Sequence, residues 1–309
     1  MLKKYLAPVI IGAVACAFFF PEYGIAIKDI IPYGLMILLY SGCLNFDIQQ
    51  IKKLRKQKLL ILITFSLLYF LGGFTLLIFR PFLTKELLAG FLIILTVPCG
   101  MASIYFTSVF NGDLPISLLV TTVSNLLAPI VIPLLYGFFA HYIFQLDGFD
   151  ELKLDFLQVF LLVAKIVLIP FLLAIITQML QWQQKARIVS KLGLPIMFLM
   201  TFGLVSPGVE TMLNNFQLTA KLLFIVSIMV SFQFAVGYFL SKHEKLRISL
   251  AILLSYRNFT IASIIALQFF PIEAALPSLI FTVVNNLSLT IMPVIFSYAV
   301  REVKENQDL

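Results

Sequence analysis

Long apolar runs, most near the length of a membrane-crossing helix, alternate with short polar connections along this chain. Ten such runs fall at approximately 5–20, 31–46, 59–79, 87–110, 114–140, 154–181, 192–207, 218–240, 247–270 and 274–299. A helix needs about 20 apolar residues to cross roughly 30 Å of hydrocarbon. The pattern therefore predicts an all-α integral membrane protein with ten transmembrane helices, spans 1 to 10, and a single transmembrane unit over 1–309. Composition agrees: 61% of residues are hydrophobic and 12% charged, and the mean hydropathy is +1.03. A soluble domain of that composition would present apolar surface to water almost everywhere.

Charge then orients the spans. If ten alternate, Lys3 and Lys4, the run from Lys52 to Lys58, then Lys185, Arg187 and Lys191, then Lys242, Lys245 and Arg247, then Arg301 and Lys304 all fall on one face. Glu22, Asp29, Glu86, Asp147, Asp150, Glu151, Asp155, Glu210 and Glu273 fall on the other. Basic loops mark the cytoplasmic side, so both termini are expected in the cytoplasm of a multi-pass protein of the cell inner (plasma) membrane. An odd span count would scatter the basic clusters over both faces. The net charge of +7 is thus explained by topology and anionic lipid, and no nucleic-acid partner is expected.

The first residues resemble a signal peptide, and Val14-Ala15-Cys16 resembles a lipoprotein cleavage site, but nine further spans favour an uncleaved first helix. Cys16, Cys43 and Cys99 are isolated within apolar runs, and His141 and His243 lie on opposite sides. Neither a disulfide framework nor a metal centre is signalled, so the cysteines read as small buried hydrophobes. Trp182 reads as an interfacial anchor and Gly72-Gly73 as a close-packing pair. Gln233 either faces a cavity or bonds a neighbouring helix.

A shift of 160 positions lays the second half of the chain on the first. Residues 102–133 and 262–293 share ten identities in 32 positions, including Ala102-Ser103-Ile104 on Ala262-Ser263-Ile264 and Asn125 on Asn285. Five spans separate equivalent points, so the copies are oppositely oriented: a 5+5 inverted repeat, about 1–145 and about 150–300. Such repeats place their ligand near the midplane, where discontinuous helices meet. Both breaks are visible. At Val97-Pro98-Cys99-Gly100, proline removes a backbone donor and glycine leaves helical geometry freely, so span 4 should stop near Val97 and restart near Met101. In span 9, Ser255, Tyr256, Arg257, Asn258 and Thr260 make a polar stretch in an apolar run, with Asn258 placed to cap the restarting helix. Asn125 and Asn285 read as inward-facing polar groups beside the crossing.

Restarting half-helices free amides that suit an anion, which makes Gly100, Met101, Ala102, Ser103, Asn258, Phe259 and Thr260 the candidate substrate-binding residues. Arg257 joins them. It lies about ten residues from either end of its span, where a charge costs at least about 2.5–3.5 kcal/mol and normally faces a cavity or a partner. Lys165 on span 6 is a second central cation, read either as a cavity residue or as a stem reaching for the interface.

The run 97–133, with its proline–glycine break, Ala-Ser, Gly-Asp turn, Leu-Ser, Thr-x-x-Ser and Leu-x-x-Pro, resembles spans 4 and 5 of the bile acid:sodium symporter family, and Arg257-Asn258 to Asn285-Asn286 resembles its spans 9 and 10 more loosely. The resemblance implies a panel domain of spans 1, 2, 6 and 7 beside a core domain of spans 3–5 and 8–10, with spans 4 and 9 crossing at their breaks. It also implies two sodium sites. Of the first, Ser103, Ser117 and Thr121 match, but Ile104 stands where the family has Asn and Leu253 where it has Glu. Of the second, Arg257 stands at a Gln, and a further Gln on span 3 falls near Leu68.

A sodium site needs several oxygen ligands, usually with a carboxylate, and a fixed cation opposes sodium by about 4 kcal/mol at 4 Å in an intermediate dielectric. Arg257 is therefore expected to occupy the second site itself, donating to backbone carbonyls or to span 3. Each sodium ion entering down 100 mV contributes about 2.3 kcal/mol, and a tethered cation cannot deliver it. The expectation is a sodium-independent secondary transporter of a small organic anion, working by alternating access in the lipid bilayer as a monomer or weak homodimer, with no cofactor and no enzymatic activity. A sodium-coupled symporter of bile-acid-like or pantoate-like anions is one alternative. A non-transporting sensor, a channel, and an auxin-efflux-type carrier on a similar fold are others.

Overall fold

The computed structural model describes residues 2–44, 58–146, 154–285 and 288. The basic run 52–57, Asp147, Asp150, Glu151, the last residues of spans 2 and 10, Arg301 and Lys304 lie outside the described residues. The described chain is helical, with one isolated antiparallel bridge and no named strand. Its principal helices are α1 Leu2–Phe19, α2 Ile31–Cys43, α3 Lys58–Phe79, α4a Lys85–Thr96, α4b Ala102–Val109, α5 Leu114–Phe138, α6 Phe156–Met179, α7 Gly193–Val205, α8 Phe216–Phe239, α9a Glu244–Ser255, α9b Phe259–Phe269 and α10 Ile272–Asn285. Five helical stretches, Lys58–Phe82, Leu114–Phe144, Phe156–Met179, Gly193–Asn214 and Phe216–Phe239, are long and apolar enough to cross a membrane. The chain is a multi-pass membrane protein.

Several helices start where a side chain satisfies amides that have no intrahelical partner. Thr84 accepts from Leu87 N, Asp113 from Ile116 N, Asp155 from Leu157 N and Gln158 N, and Asn215 from Leu218 N. The expected breaks are present: α4a ends at Thr96 and α4b starts at Ala102, while α9a ends at Ser255 and α9b starts at Phe259. Span 7 departs from the expected single run. Its helix passes at Ser206–Gly208 through a tighter turn containing Pro207 and continues as Val209–Asn214, because the proline supplies no amide to the preceding turn.

Two groups of helices form by packing. In one, α1 lies on α7, α2 on α6, and α7 also on α2. In the other, α3 packs on α4a, α8 on α9a, α4b on α5, and the half-helices on one another and on α5. The groups meet where α5 packs on α6 and α7 on α9b. Burial is deepest at α4a and α9a, where every residue from Leu87 to Thr96 and from Ile248 to Ser255 is buried. Two glycines permit that depth. A Cβ at Gly90 would run into the Ala274 carbonyl, and one at Gly237 into the Leu250 carbonyl and the Ala251 backbone.

Candidate functional site

The two breaks cross each other as extended backbone. Cys99 and Arg257 form the antiparallel bridge, Gly100 N donates to Tyr256 O at 3.0 Å, and Asn258 N donates to Pro98 O at 2.8 Å. Gly100 is required by contact: a Cβ there would lie 2.5 Å from the Tyr256 ring and 2.8 Å from the Arg257 carbonyl oxygen. Asn125 on α5 holds the crossing from one side, donating to Cys99 O at 2.9 Å and accepting from Asn258 Nδ2 at 3.3 Å. The Asn258 Oδ1 in turn accepts from Ile261 N, the N-terminal cap expected of it.

The bridged residues also exchange caps. Ending α4a at Thr96 strands the carbonyls of its last turn, the negative end of the helix dipole. The Arg257 guanidinium fills that position, donating from Nη1 to Leu95 O at 2.9 Å and Val97 O at 3.4 Å, and from Nη2 to Leu68 O on α3. Reciprocally, the Cys99 thiol donates to Leu253 O at 3.3 Å, in the last turn of α9a. The expectation that Cys99 is only a small buried hydrophobe is thereby corrected, since its thiol and both of its backbone polar groups are engaged. Arg257 is 1% exposed, and its guanidinium points at carbonyls of α3 and α4a.

The hydroxyls that the family resemblance assigned to a first ion are buried and spent on one another. Ser103 Oγ lies 2.8 Å from Thr121 Oγ1, and Thr107 Oγ1 donates to Ser117 Oγ at 3.0 Å. Leu253, at the position of the missing carboxylate, is fully buried among apolar neighbours. This donor set does not fit sodium: two paired hydroxyl couples, a leucine, and a guanidinium already seated on the carbonyls. A further buried hydroxyl pair joins Ser263 Oγ, which falls on Ser103 in the 160-residue shift, to Ser278 Oγ at 2.9 Å.

A cavity of about 90 Å³ opens at the crossing. Gly100, Met101, Ala102, Arg257, Asn258, Phe259 and Thr260 line it, so seven of the nine proposed substrate-binding residues come together. The amides of Met101, Ala102 and Thr260, at the starts of α4b and α9b, have no intramolecular acceptor among the described residues. None of Leu68, Leu95 and Val97, whose carbonyls hold the guanidinium, lines the cavity. Ser103 is turned into the α4b–α5 contact. Lys165 does not reach the site: it is exposed, with Nζ 6.0 Å from the centre of the Tyr33 ring.

Gln233 is 1% exposed and lines none of the described cavities, and among the described residues neither its Nε2 nor its Oε1 has a partner. The opposite wall of the site was missed in the sequence: Leu35 and Leu38 of α2, Met197, Met200, Thr201 and Leu204 of α7, and Thr282 of α10. Two signals were available. Thr282 falls on Thr122 in the 160-residue shift, and 197, 201 and 204 recur at one-face helical spacing.

Sequence comparison places these features in context. The profile of the Sodium Bile acid symporter family matches residues 31–215. The chain is similar to YocS of Bacillus subtilis (strain 168), named an uncharacterized sodium-dependent transporter, at 27% identity over 301 residues, 95% of this chain and 91% of that protein. It is also similar to the uncharacterized protein YbaS of the same organism, at 20% identity over 280 residues, 87% of each.

Proposed function

The chain belongs to the sodium bile acid symporter family, and from that membership we propose that it is a secondary transporter of a small organic anion that works without sodium, the Arg257 guanidinium standing where a relative would hold an ion. The observation that carries this reading is the seat of that guanidinium on Leu68 O, Leu95 O and Val97 O. Carbonyls at a broken helix end make a cation site, and here the cation is covalently attached. Leu253, Ile104 and the paired hydroxyls of Ser103 and Thr121 support the same reading.

The anion is held at the free amides of Met101, Ala102 and Thr260, against the apolar wall of α2 and α7. Alternating access then moves the core, spans 3–5 and 8–10, against the panel, spans 1, 2, 6 and 7. The ten-span inverted repeat and cytoplasmic termini belong to this proposal. A cavity of about 90 Å³ is below the roughly 300–1,000 Å³ usual for small-molecule sites, so a substrate of bile-acid size requires the panel to withdraw. Sodium-coupled symport is the second reading, favoured by the name of the YocS relative, a sodium-dependent transporter.

The test is thermal stabilisation of the purified protein by a panel of organic anions in choline medium. Stabilisation in choline is the expected outcome, and stabilisation that strictly requires sodium overturns the substitution. Conversely, Leu253→Glu with Arg257→Gln and Ile104→Asn should create sodium-dependent stabilisation.

A further inference from the structure

A second cavity, of about 530 Å³, lies above the crossing. Lys28, Asp29 and Gln268 are its polar residues, and the rest of its lining is apolar. Lys28 and Asp29 belong to the connection between α1 and α2 and Gln268 to the end of α9b, so it opens on the face opposite the start of α1 and of α9a. Leu204 is the residue common to this vestibule and to the crossing cavity.

Three helices each carry one face from the vestibule to the crossing. On α2, Ile31 lines the vestibule while Leu35 and Leu38 line the crossing; on α9b, Leu267 and Ile264 line the vestibule and Thr260 the crossing. Along the third strip, Pro207 lines the vestibule, Leu204 both, and Thr201 and Met197 the crossing. Each set has spacings of three and four, a single helical face. From Leu267 to Thr260 the strip descends about 10 Å. The strips outline one shaft, and Leu204, 2% exposed, stands where its two cavities meet. At the adjacent Gly203 a Cβ would lie 2.9 Å from Ile31 Cδ1, so α7 and α2 are in direct contact there. The span between α7 and α9b is left to the side chain.

We infer that Leu204 is the barrier between an outer vestibule and the crossing cavity, and that its bulk sets the size of the anion that passes. The inference rests on reading the crossing as the ligand site. A ligand arriving from the Lys28 and Asp29 face meets Leu204 before it meets the amides of Thr260, Met101 and Ala102. Widening the side chain there closes the shaft, and trimming it joins the two cavities.

Accessibility to a membrane-impermeant thiol reagent, added to intact cells, tests this without any ligand. Thr201→Cys reports the crossing and Leu267→Cys the vestibule, with the parent chain, which retains Cys16, Cys43 and Cys99, as background. Leu267→Cys should label readily and Thr201→Cys slowly. Adding Leu204→Ala should speed Thr201→Cys labelling about tenfold or more, as a lowered barrier does, and Leu204→Trp should abolish it. Labelling of Leu267→Cys, unchanged by either variant, shows that the fold is intact. The inference fails if Thr201→Cys labels at one rate whatever occupies position 204, or only after the cells are opened. If the labelling pattern holds but no anion stabilises the protein, the transport reading fails and the shaft stands.

Discussion

At the level of single residues, the core holds two buried polar side chains in opposite circumstances. Arg257 donates from Nη1 and Nη2 to carbonyls from two helices, leaving only its Nε unpaired among the described residues, whereas neither amide atom of Gln233 has a partner there. Removing them should therefore act in opposite directions. Arg257→Leu leaves Leu95 O and Val97 O without donors, at about 1–3 kcal/mol for each unsatisfied group, and the melting temperature should drop sharply. Arg257→Lys should recover only part of the loss, because an ammonium cannot reproduce the planar fork. Gln233→Leu is similar in volume and removes an unsatisfied amide, so it should hold or gain up to about 1–3 kcal/mol. A lower melting temperature for Gln233→Leu would show that its amide is engaged after all.

For the helices, close approach at glycine governs how deep the broken elements can sit. Gly90→Ala drives a Cβ into the Ala274 carbonyl, a backbone atom that cannot swing aside. Overpacking of this kind costs about 1–3 kcal/mol. Gly137→Ala, which meets nothing within 4 Å, is the matched control inside α5 and should hold or raise the melting temperature. The breaks themselves were legible in the sequence because they violate helix chemistry: Pro98 and Gly100 in one span, and a polar stretch with a capping Asn258 in the other. The α7 wall was not legible. Met200 and Leu204 face the cavity while Leu199 is exposed, and an apolar side chain toward a cavity is chemically the same as one toward lipid. Lys165 lies outside the crossing cavity for a related reason, since depth along a span does not give the direction in which a residue points.

For the molecule as a whole, the two packed groups touch through α5 on α6 and α7 on α9b, and the crossing cavity is bounded by both. Asn258 ties the core side together: its amide reaches Pro98 O, its Oδ1 caps α9b, and its Nδ2 reaches Asn125. The two breaks are therefore joined as one body, and under the proposed alternating access movement falls at the seam against α2 and α7. That division into core and panel came from the family resemblance; composition and periodicity alone gave only the count of spans.

The seat of Arg257 also changes what holds the molecule together over time. A diffusible cation stabilises its host in proportion to the logarithm of its concentration, so the fold strengthens and weakens with the medium. A cation built into the chain has no concentration. On the proposed reading, its attraction to the carbonyls of α3 and α4a is spent once, during folding, and is not returned during transport. The ligand-free protein should accordingly melt at the same temperature in sodium and in choline at equal ionic strength. A melting temperature that climbs with sodium alone would mean that an oxygen site for the ion survives somewhere in the chain.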